Sequence, residues 1–437
     1  MPETLDAVFA FAVAAILAWL LVPPVEALAT RIGAIDNPSE RSLHATALPK
    51  LGGLAILIAV LVAGAIWLPW DTETKAILGG AVAIALVGVA DDIFELPAGP
   101  KLVGQIVGAS IPVAAGVAVN DFTLPFVGRV EPGSVEIVSS LPLLGSVDLG
   151  QVVTTLGIVA IINAVNFADG VDGLASGVCV IAAVTLAVVA LSLDRNAAGV
   201  LAALTAGGAL GFLRHGFPPA SSFMGDTGSN LLGYLLAVTA IQGALKTNAV
   251  VALFFPLIVL MVPILDSTFV VAKRLKHRRP IYKADAWHFH HRMANIGFSQ
   301  RRTLVYLYGW TVAMAGLALA LRFVPYSNDR GDLDTLWTAV MVAFALVAIA
   351  ASVYLVIVLE ILKLRRWRFR QLGERVRAGA APPVAADVDA GVARELQTGS
   401  FAVLNPETGQ FDPLDPDTGE FDSRELSTES VEATEPR

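Results

Sequence analysis

"NAVNFADGVDGLASG", residues 163–177, joins two apolar runs, each long enough to cross a bilayer. Asn163, Asn166, Asp169 and Asp172 recur in it at every third position. A carboxylate costs about 2.5–3.5 kcal/mol at the bilayer centre even on insertion-based scales, so such a cluster beside hydrocarbon marks a functional site. At 3.6 residues per turn, a spacing of three slips back by about 60° at each step. The four side chains therefore cannot share one face of a straight helix. Gly170 and Gly173 supply a break. The expected arrangement has Asn163 and Asn166 on the last helical turn, and Asp169 and Asp172 on a tight turn that re-enters the next helix. Amides and carboxylates then converge on one small volume at the membrane boundary. Capping two helix ends would not need four polar side chains.

Composition fixes the class around this stretch. Of 437 residues, 55% are hydrophobic and 16% charged, a balance that a water-soluble domain of this size could not carry on its surface. The chain reads as an all-α polytopic membrane protein. Its net charge of -8 comes from the end of the chain: residues 381–437 hold thirteen Asp and Glu against three Arg, which leaves the remainder slightly basic. The one cysteine, Cys179, lies within an apolar run, so no disulfide framework is expected. The first charges are Glu3 and Asp6, and the following apolar stretch has no small-residue cleavage pattern, so it reads as a retained first membrane helix.

Apolar segments of spanning length fall near 6–28, 51–69, 75–90, 101–119, 149–165, 174–193, 197–213, 229–246, 249–272, 303–322 and 335–361. Eleven spans put the termini on opposite sides. One set of loops carries Arg31, Arg41, Lys50 and Lys101, the run "KRLKHRRPIYK" (273–283) and "KLRRWRFR" after the last span. The positive-inside rule makes that set cytoplasmic, with the N-terminus outside and the C-terminus inside. The longest outer loop, 120–148, alternates apolar with polar, Gly and Pro residues and reads as a short hairpin or cap.

Every chemically distinctive cluster then lies on the cytoplasmic side. Asp91 and Asp92 close the third span, where a helix C-terminus disfavours negative charge, so the pair needs a metal or a basic partner such as Lys101. Asp226 sits in "FMGDTGS" (223–229), among glycines that allow close approach by a ligand. These are hard oxygen donors without thiolates, a set suited to Mg²⁺ or Mn²⁺. His288, His290 and His291 have a spacing that could hold zinc. Set in "KADAWHFHHRM" (283–293) among basic residues, including Arg292, they are better suited to phosphate and sugar hydroxyls. Arg41 and His44 in the first inner loop read either as phosphate contacts or as part of a positive-inside loop. Metal, carboxylates, amides and a basic loop at an inner membrane face point to phosphoryl transfer onto a lipid phosphate, with a donor arriving from the cytosol.

The ordered set "DNPSERSLHATALPKLGGLAI", "ADDIFELPAGPKLVGQ", "NAVNFADGVDGLASG", "FMGDTGSNLLG" and "HFHHRMANIGFS" resembles the polyprenyl-phosphate N-acetylhexosamine-1-phosphate transferases, most closely the WecA and TagO branch, over about residues 5–362. The resemblance implies transfer of N-acetylglucosamine 1-phosphate from UDP-N-acetylglucosamine to undecaprenyl or decaprenyl phosphate, with release of UMP, at the bacterial inner membrane. It matches Asp91 and Asp92 to the family's aspartate pair, which would deprotonate or orient the lipid phosphate. Asp226 matches the magnesium ligand, with Asp92 beside it; Asn166, Asp169 and Asp172 match the active-site loop; Lys101 matches a lysine near the pair. His288, His290 and His291 match a motif near the donor's sugar phosphate. Direct attack and a covalent aspartyl intermediate both remain open. So do phospho-MurNAc-pentapeptide transfer, whose branch also has a histidine motif, and a homodimer.

Residues 363–380 form a basic juxtamembrane stretch suited to anionic lipid. Residues 381–437 are acidic and poor in long apolar runs, and are expected to be disordered. They contain a near repeat, "NPETGQFDPL" and "DPDTGEFDSR", too short and polar for a solenoid. No nucleic-acid partner is expected. A secondary transporter would place its carboxylates near the midplane and often show inverted repeats; a lipid phosphatase would lack the nucleotide site.

Overall fold

Local capping sets where the helices begin. The Asp71 carboxylate accepts the Thr74 N–H at 2.7 Å and opens the third helix at Thr72, and Asp148 forms a reciprocal capping box with Gln151 that opens the fifth at Leu149. The computed structural model describes residues 2–36, 47–124, 128–141, 145–244, 258–276, 293, 298–325, 334–354, 402–404 and 411–413. It divides into two units, Met1–Tyr282 with Ser299–Ala350, and Lys283–Phe298 with Ala351–Arg437.

Within the described residues, helices occupy all eleven places where apolar runs predict them. They are α1 (Pro2–Ile32), α2 (Gly53–Trp67), α3 (Thr72–Phe94), α4 (Ala98–Ala114), α5 (Leu149–Ala168), α6 (Leu174–Ser192), α7 (Asn196–Gly216), α8 (Gly225–Ala244), α9 (Met261–Lys276), α10 (Gln300–Phe323) and α11 (Thr335–Tyr354). Seven of the described helices are long and apolar enough to cross a membrane: α1, α3, α5, α6, α7, α10 and α11. α2 is apolar but only 15 residues long, and the first turn and a half of α8, "GDTGSN", is polar. Large apolar side chains such as Phe9, Trp19, Leu86, Val107 and Val305 stand exposed on the helices, as a bilayer-facing surface requires. The chain is an all-α, multi-pass membrane protein.

Strands are confined to short antiparallel pairs. Ile35–Asp36 pairs with Leu48–Pro49, bracketing residues 37–47. In the loop expected to form a hairpin or cap, Phe122–Leu124 pairs with Gly128–Val130, and Glu136–Leu141 pairs with Gly145–Asp148. In the second unit, Ala402–Leu404 pairs with Phe411–Pro413. Six residues of the tail read as disordered are therefore paired; apolar and β-branched residues flank a stretch rich in turn formers, "NPETGQ". The rest of 381–437 lies outside the described residues.

α8 is the element on which the inner helices meet: it packs against α2, α3, α5, α6 and α7. Its first turn is held very close to its neighbours. A Cβ on Gly53 would lie 2.1 Å from the Gly228 nitrogen, and one on Gly88 would lie 2.4 Å from the Thr227 Cα. Backbone bonds from Gly52 N–H to the Phe223 carbonyl and from Gly53 N–H to the Met224 carbonyl, 3.0 and 2.9 Å, fasten the start of α2 to the residues leading into α8. The glycines of "PKLGG" and "FMGDTGS" thus serve backbone approach between helices.

This seam predicts the effect of adding a single methyl group. Gly53→Ala must push α8 away from α2 and should cost about 1–3 kcal/mol, as overpacked cores do. Gly79→Ala inside α3, where a Cβ meets nothing within 4 Å, should instead raise stability by about 0.5–1 kcal/mol, the helix-interior cost of glycine. Thermal unfolding of the purified protein in detergent, read by loss of monodisperse protein, compares the two.

Candidate active site

The acid loop takes the form expected from its spacing. α5 runs through Asn163 and Asn166 to Ala168, Asp169 caps its end, and the chain re-enters α6 after Gly173. Asn166 lies on the last turn and Asn163 one turn further in, slightly deeper than expected. Gly173 takes the left-handed conformation, φ 75°, while Gly170 does not. Only one of the two predicted breaks therefore needs glycine for its backbone angle.

The C-terminus of α3, the N-terminus of α4, the C-terminus of α5 and the N-terminus of α8 meet beside this loop. Asp92 resolves the charge problem posed by its position at a helix C-terminus. Its carboxylate accepts the Asp226 N–H at 2.8 Å, the Thr227 N–H at 3.0 Å and the Thr227 hydroxyl at 2.7 Å. A charge misplaced at the end of one helix thus caps the positive end of another. Asp91 is compensated separately: Lys101 Nζ lies 2.8 Å from its Oδ2, and the Leu96 N–H donates to its Oδ1 at 2.7 Å.

Lys101 also reaches Asp226 Oδ2 at 2.6 Å, so one ammonium bridges two carboxylates. Asn166 Nδ2 donates to the other oxygen of Asp226, and to Ser229 Oγ at 2.9 Å. One helical turn deeper lies a second layer made of amides. Asn163 Nδ2 donates to Gln105 Oε1 at 2.8 Å, and Gln105 Nε2 donates to Asn230 Oδ1 at 3.4 Å. Gln105 and Asn230 follow Lys101 and Asp226 by four residues, so the same three helices supply both layers. Gln105, Thr227, Ser229 and Asn230 are missing from the sequence-based set, although the four-residue offset was a usable signal.

Asp172 accepts the Ala220 N–H at 3.4 Å. Asp169 makes no side-chain hydrogen bond within the described residues. Burial, and then the negative charges of Asp226, Asp92 and Asp172, push its carboxyl well above the usual carboxylate range. The structure therefore gathers Asp91, Asp92, Lys101, Asn163, Asn166, Asp169, Asp172 and Asp226. Arg41, His44, His288, His290, His291 and Arg292 lie outside the described residues. Among the described residues no three His, Asp, Glu or Cys side chains form a preassembled metal-holding group.

Comparison with known proteins bears on this geometry. A family model described as "Glycosyl transferase family 4" matches residues 74–244, the segment that supplies all of the gathered residues. The chain is 34% identical over 368 residues to the "Probable undecaprenyl-phosphate N-acetylglucosaminyl 1-phosphate transferase" of Bacillus subtilis, covering 83% of this chain and 94% of that protein. The chain belongs to glycosyl transferase family 4. Within this WecA, TagO and MraY superfamily, it is also 34% identical over 362 residues to the "Decaprenyl-phosphate N-acetylglucosaminephosphotransferase" of Mycobacterium tuberculosis strain H37Rv, covering 76% of this chain and 85% of that one. It is 32% identical over 349 residues to a "Phospho-N-acetylmuramoyl-pentapeptide-transferase" of Desulforudis audaxviator, covering 74% and 97%. In this family member, Asp91, Asp92, Lys101, Asn166 and Asp226 are joined by hydrogen bonds and ion pairs.

The raised carboxyl of Asp169 carries a prediction about stability. A carboxyl whose value is raised on folding binds its proton more tightly when folded, so it favours the fold below its ordinary value of 3.8 and opposes it as pH rises through the folded value. Asp169→Asn should therefore raise the melting temperature at pH 7.5 in chelator-containing buffer. The gain should shrink as pH is lowered toward 4. A melting temperature that is unchanged at pH 7.5, or a gain independent of pH, would contradict the assignment.

Proposed function

We propose that the chain transfers N-acetylglucosamine 1-phosphate from UDP-N-acetylglucosamine to undecaprenyl or decaprenyl phosphate and releases UMP, as the first membrane step of cell-envelope polysaccharide synthesis. The observation that carries this reading is Asp226 held by Lys101 and Asn166, with the carboxyl of Asp169, unbonded among the described residues, close enough to feel its charge, at one end of a set of membrane helices. The relatives whose printed names specify N-acetylglucosamine transfer support the choice of sugar. The positive-inside pattern supports eleven spans, an outer N-terminus, an inner C-terminus and a site facing the cytoplasm across the bacterial inner membrane.

The site's chemistry fits a hard divalent cation, Mg²⁺ or Mn²⁺. Among the described residues the site gathers five carboxyls, on Asp91, Asp92, Asp169, Asp172 and Asp226, and one ammonium, that of Lys101, which pairs with Asp91 and Asp226. The donors nearest one another are oxygens. Asp226 would hold the ion, with Asp92 beside it. When bound, it would neutralise charge on the donor's diphosphate. Asp92 also anchors the first turn of α8, its two oxygens accepting three hydrogen bonds from it.

The residues then divide the work. Asp92 and Asn166 fix Asp226, and Lys101 offsets the repulsion between Asp91 and Asp226. Asp169, with its raised proton affinity, takes the proton of the lipid phosphate. A lipid phosphate oxygen attacks the donor's β-phosphorus in line, the bond from that phosphorus to the α-phosphate oxygen breaks, and UMP leaves. The product is a lipid-linked diphosphate sugar. His288, His290, His291 and Arg292, with Arg41 and His44, are assigned to the donor's phosphates and sugar.

A purified-enzyme assay decides this. UMP should appear with UDP-N-acetylglucosamine and polyprenyl phosphate, stop with chelator and return with Mg²⁺. Asp226→Ala should slow it by about a thousandfold, whereas deleting residues 381–437 should leave it nearly intact. Release of UMP only from UDP-MurNAc-pentapeptide would move the chain to the other branch, and solute uptake into vesicles without UMP would make it a transporter.

A further inference from the structure

The acid loop between α5 and α6 is tied to a helix that contributes nothing to the charged cluster. Tyr308, on the third turn of α10, donates its hydroxyl to the carbonyl of Gly173, the left-handed residue that closes the loop. That carbonyl also accepts the Gly177 N–H at 3.0 Å and the Ser176 hydroxyl at 3.2 Å. The tyrosine reaches it because residue 177 has no side chain: a Cβ there would lie 2.0 Å from the Tyr308 hydroxyl. A second contact comes from the first turn of α10, where Arg301 Nη2 donates to the Pro218 carbonyl at 3.3 Å. Two residues on, Ala220 donates its N–H to Asp172. α10 therefore grips both segments that bracket Asp172.

Asp169 makes no side-chain hydrogen bond within the described residues, so the described side-chain bonds do not fix its position. The end of α5 holds one side of the loop and the Gly173 carbonyl holds the other. We propose that Tyr308 is a positioning residue, which fixes the loop carrying Asp169 and Asp172 at the level of Asp226, so that α10 acts as a strut for the acid loop. The proposal rests on the transferase reading. Productive geometry tolerates about 0.5 Å, and a displacement of about 1 Å can cost about a hundredfold in rate.

Tyr308→Phe isolates the tether. It keeps the ring and leaves two donors on the Gly173 carbonyl, so no buried acceptor is orphaned. The chain's one cysteine, Cys179, is buried on α6 two residues beyond Gly177 and serves as a local reporter. In the full-length protein, Tyr308→Phe should lower kcat for UMP release about tenfold with the KM for UDP-N-acetylglucosamine within about twofold. It should also speed maleimide labelling of Cys179 several-fold. Gly177→Ala, which displaces the hydroxyl by contact, should give the same two changes and carries the test if Tyr308→Phe does not fold. Wild-type kcat or wild-type labelling in the folded variant overturns the strut. A wild-type protein that releases no UMP from any donor sinks the transferase reading instead, and labelling alone then judges the strut.

Discussion

Asp92 and the first turn of α8 each solve the other's problem. A carboxylate at the C-terminal end of α3 faces the negative pole of its own helix, and the first amides of α8 have no acceptor within theirs. Joined, they form three hydrogen bonds, and the two from Thr227 are buried. In a bilayer an unsatisfied backbone group costs several kcal/mol, so this contact sets the height of α8 relative to α3. The glycine seam at Gly53 and Gly88 then brings the backbones close enough for the bonds to form.

That registration produces the cluster itself. With α8 fixed, Asp226 comes between Lys101 of α4 and Asn166 of α5, and the amide layer of Asn163, Gln105 and Asn230 repeats the arrangement one turn deeper. The upper layer has an excess of negative charge that the described residues do not cancel. The lower layer is neutral. Charge is thus confined to one end of the helices, and the next turn is left with groups that hydrogen bonds alone can satisfy.

Much of this was legible in the sequence, for reasons particular to each element. The helices follow from apolar length, and the break after Ala168 arises because a three-residue polar spacing cannot stay on one helical face. Asp91 needed a cation and Lys101 was near at hand. The partner of Asp92 was not legible, because it is backbone on a distant helix and backbone has no letter in a sequence. The role of Gly228 was obscured in the same way: the glycines of "FMGDTGS" read as room for a ligand, but Gly228 meets the Gly53 backbone at the start of α2. Tyr308 gave no sign, since an aromatic residue within an apolar run reads as core until its hydroxyl is seen to have a partner.

The separation of Asp92 from Asp226 has a consequence for how the protein is made. The two residues are 134 positions apart, so at about 5–20 residues per second α3 leaves the ribosome roughly 7–27 seconds before the helix that donates to Asp92 exists. Lys101 emerges almost at once and can neutralise Asp91. Asp92 must wait at the lipid boundary, solvated by headgroup water or carrying a proton, until α8 arrives to take its place beside it.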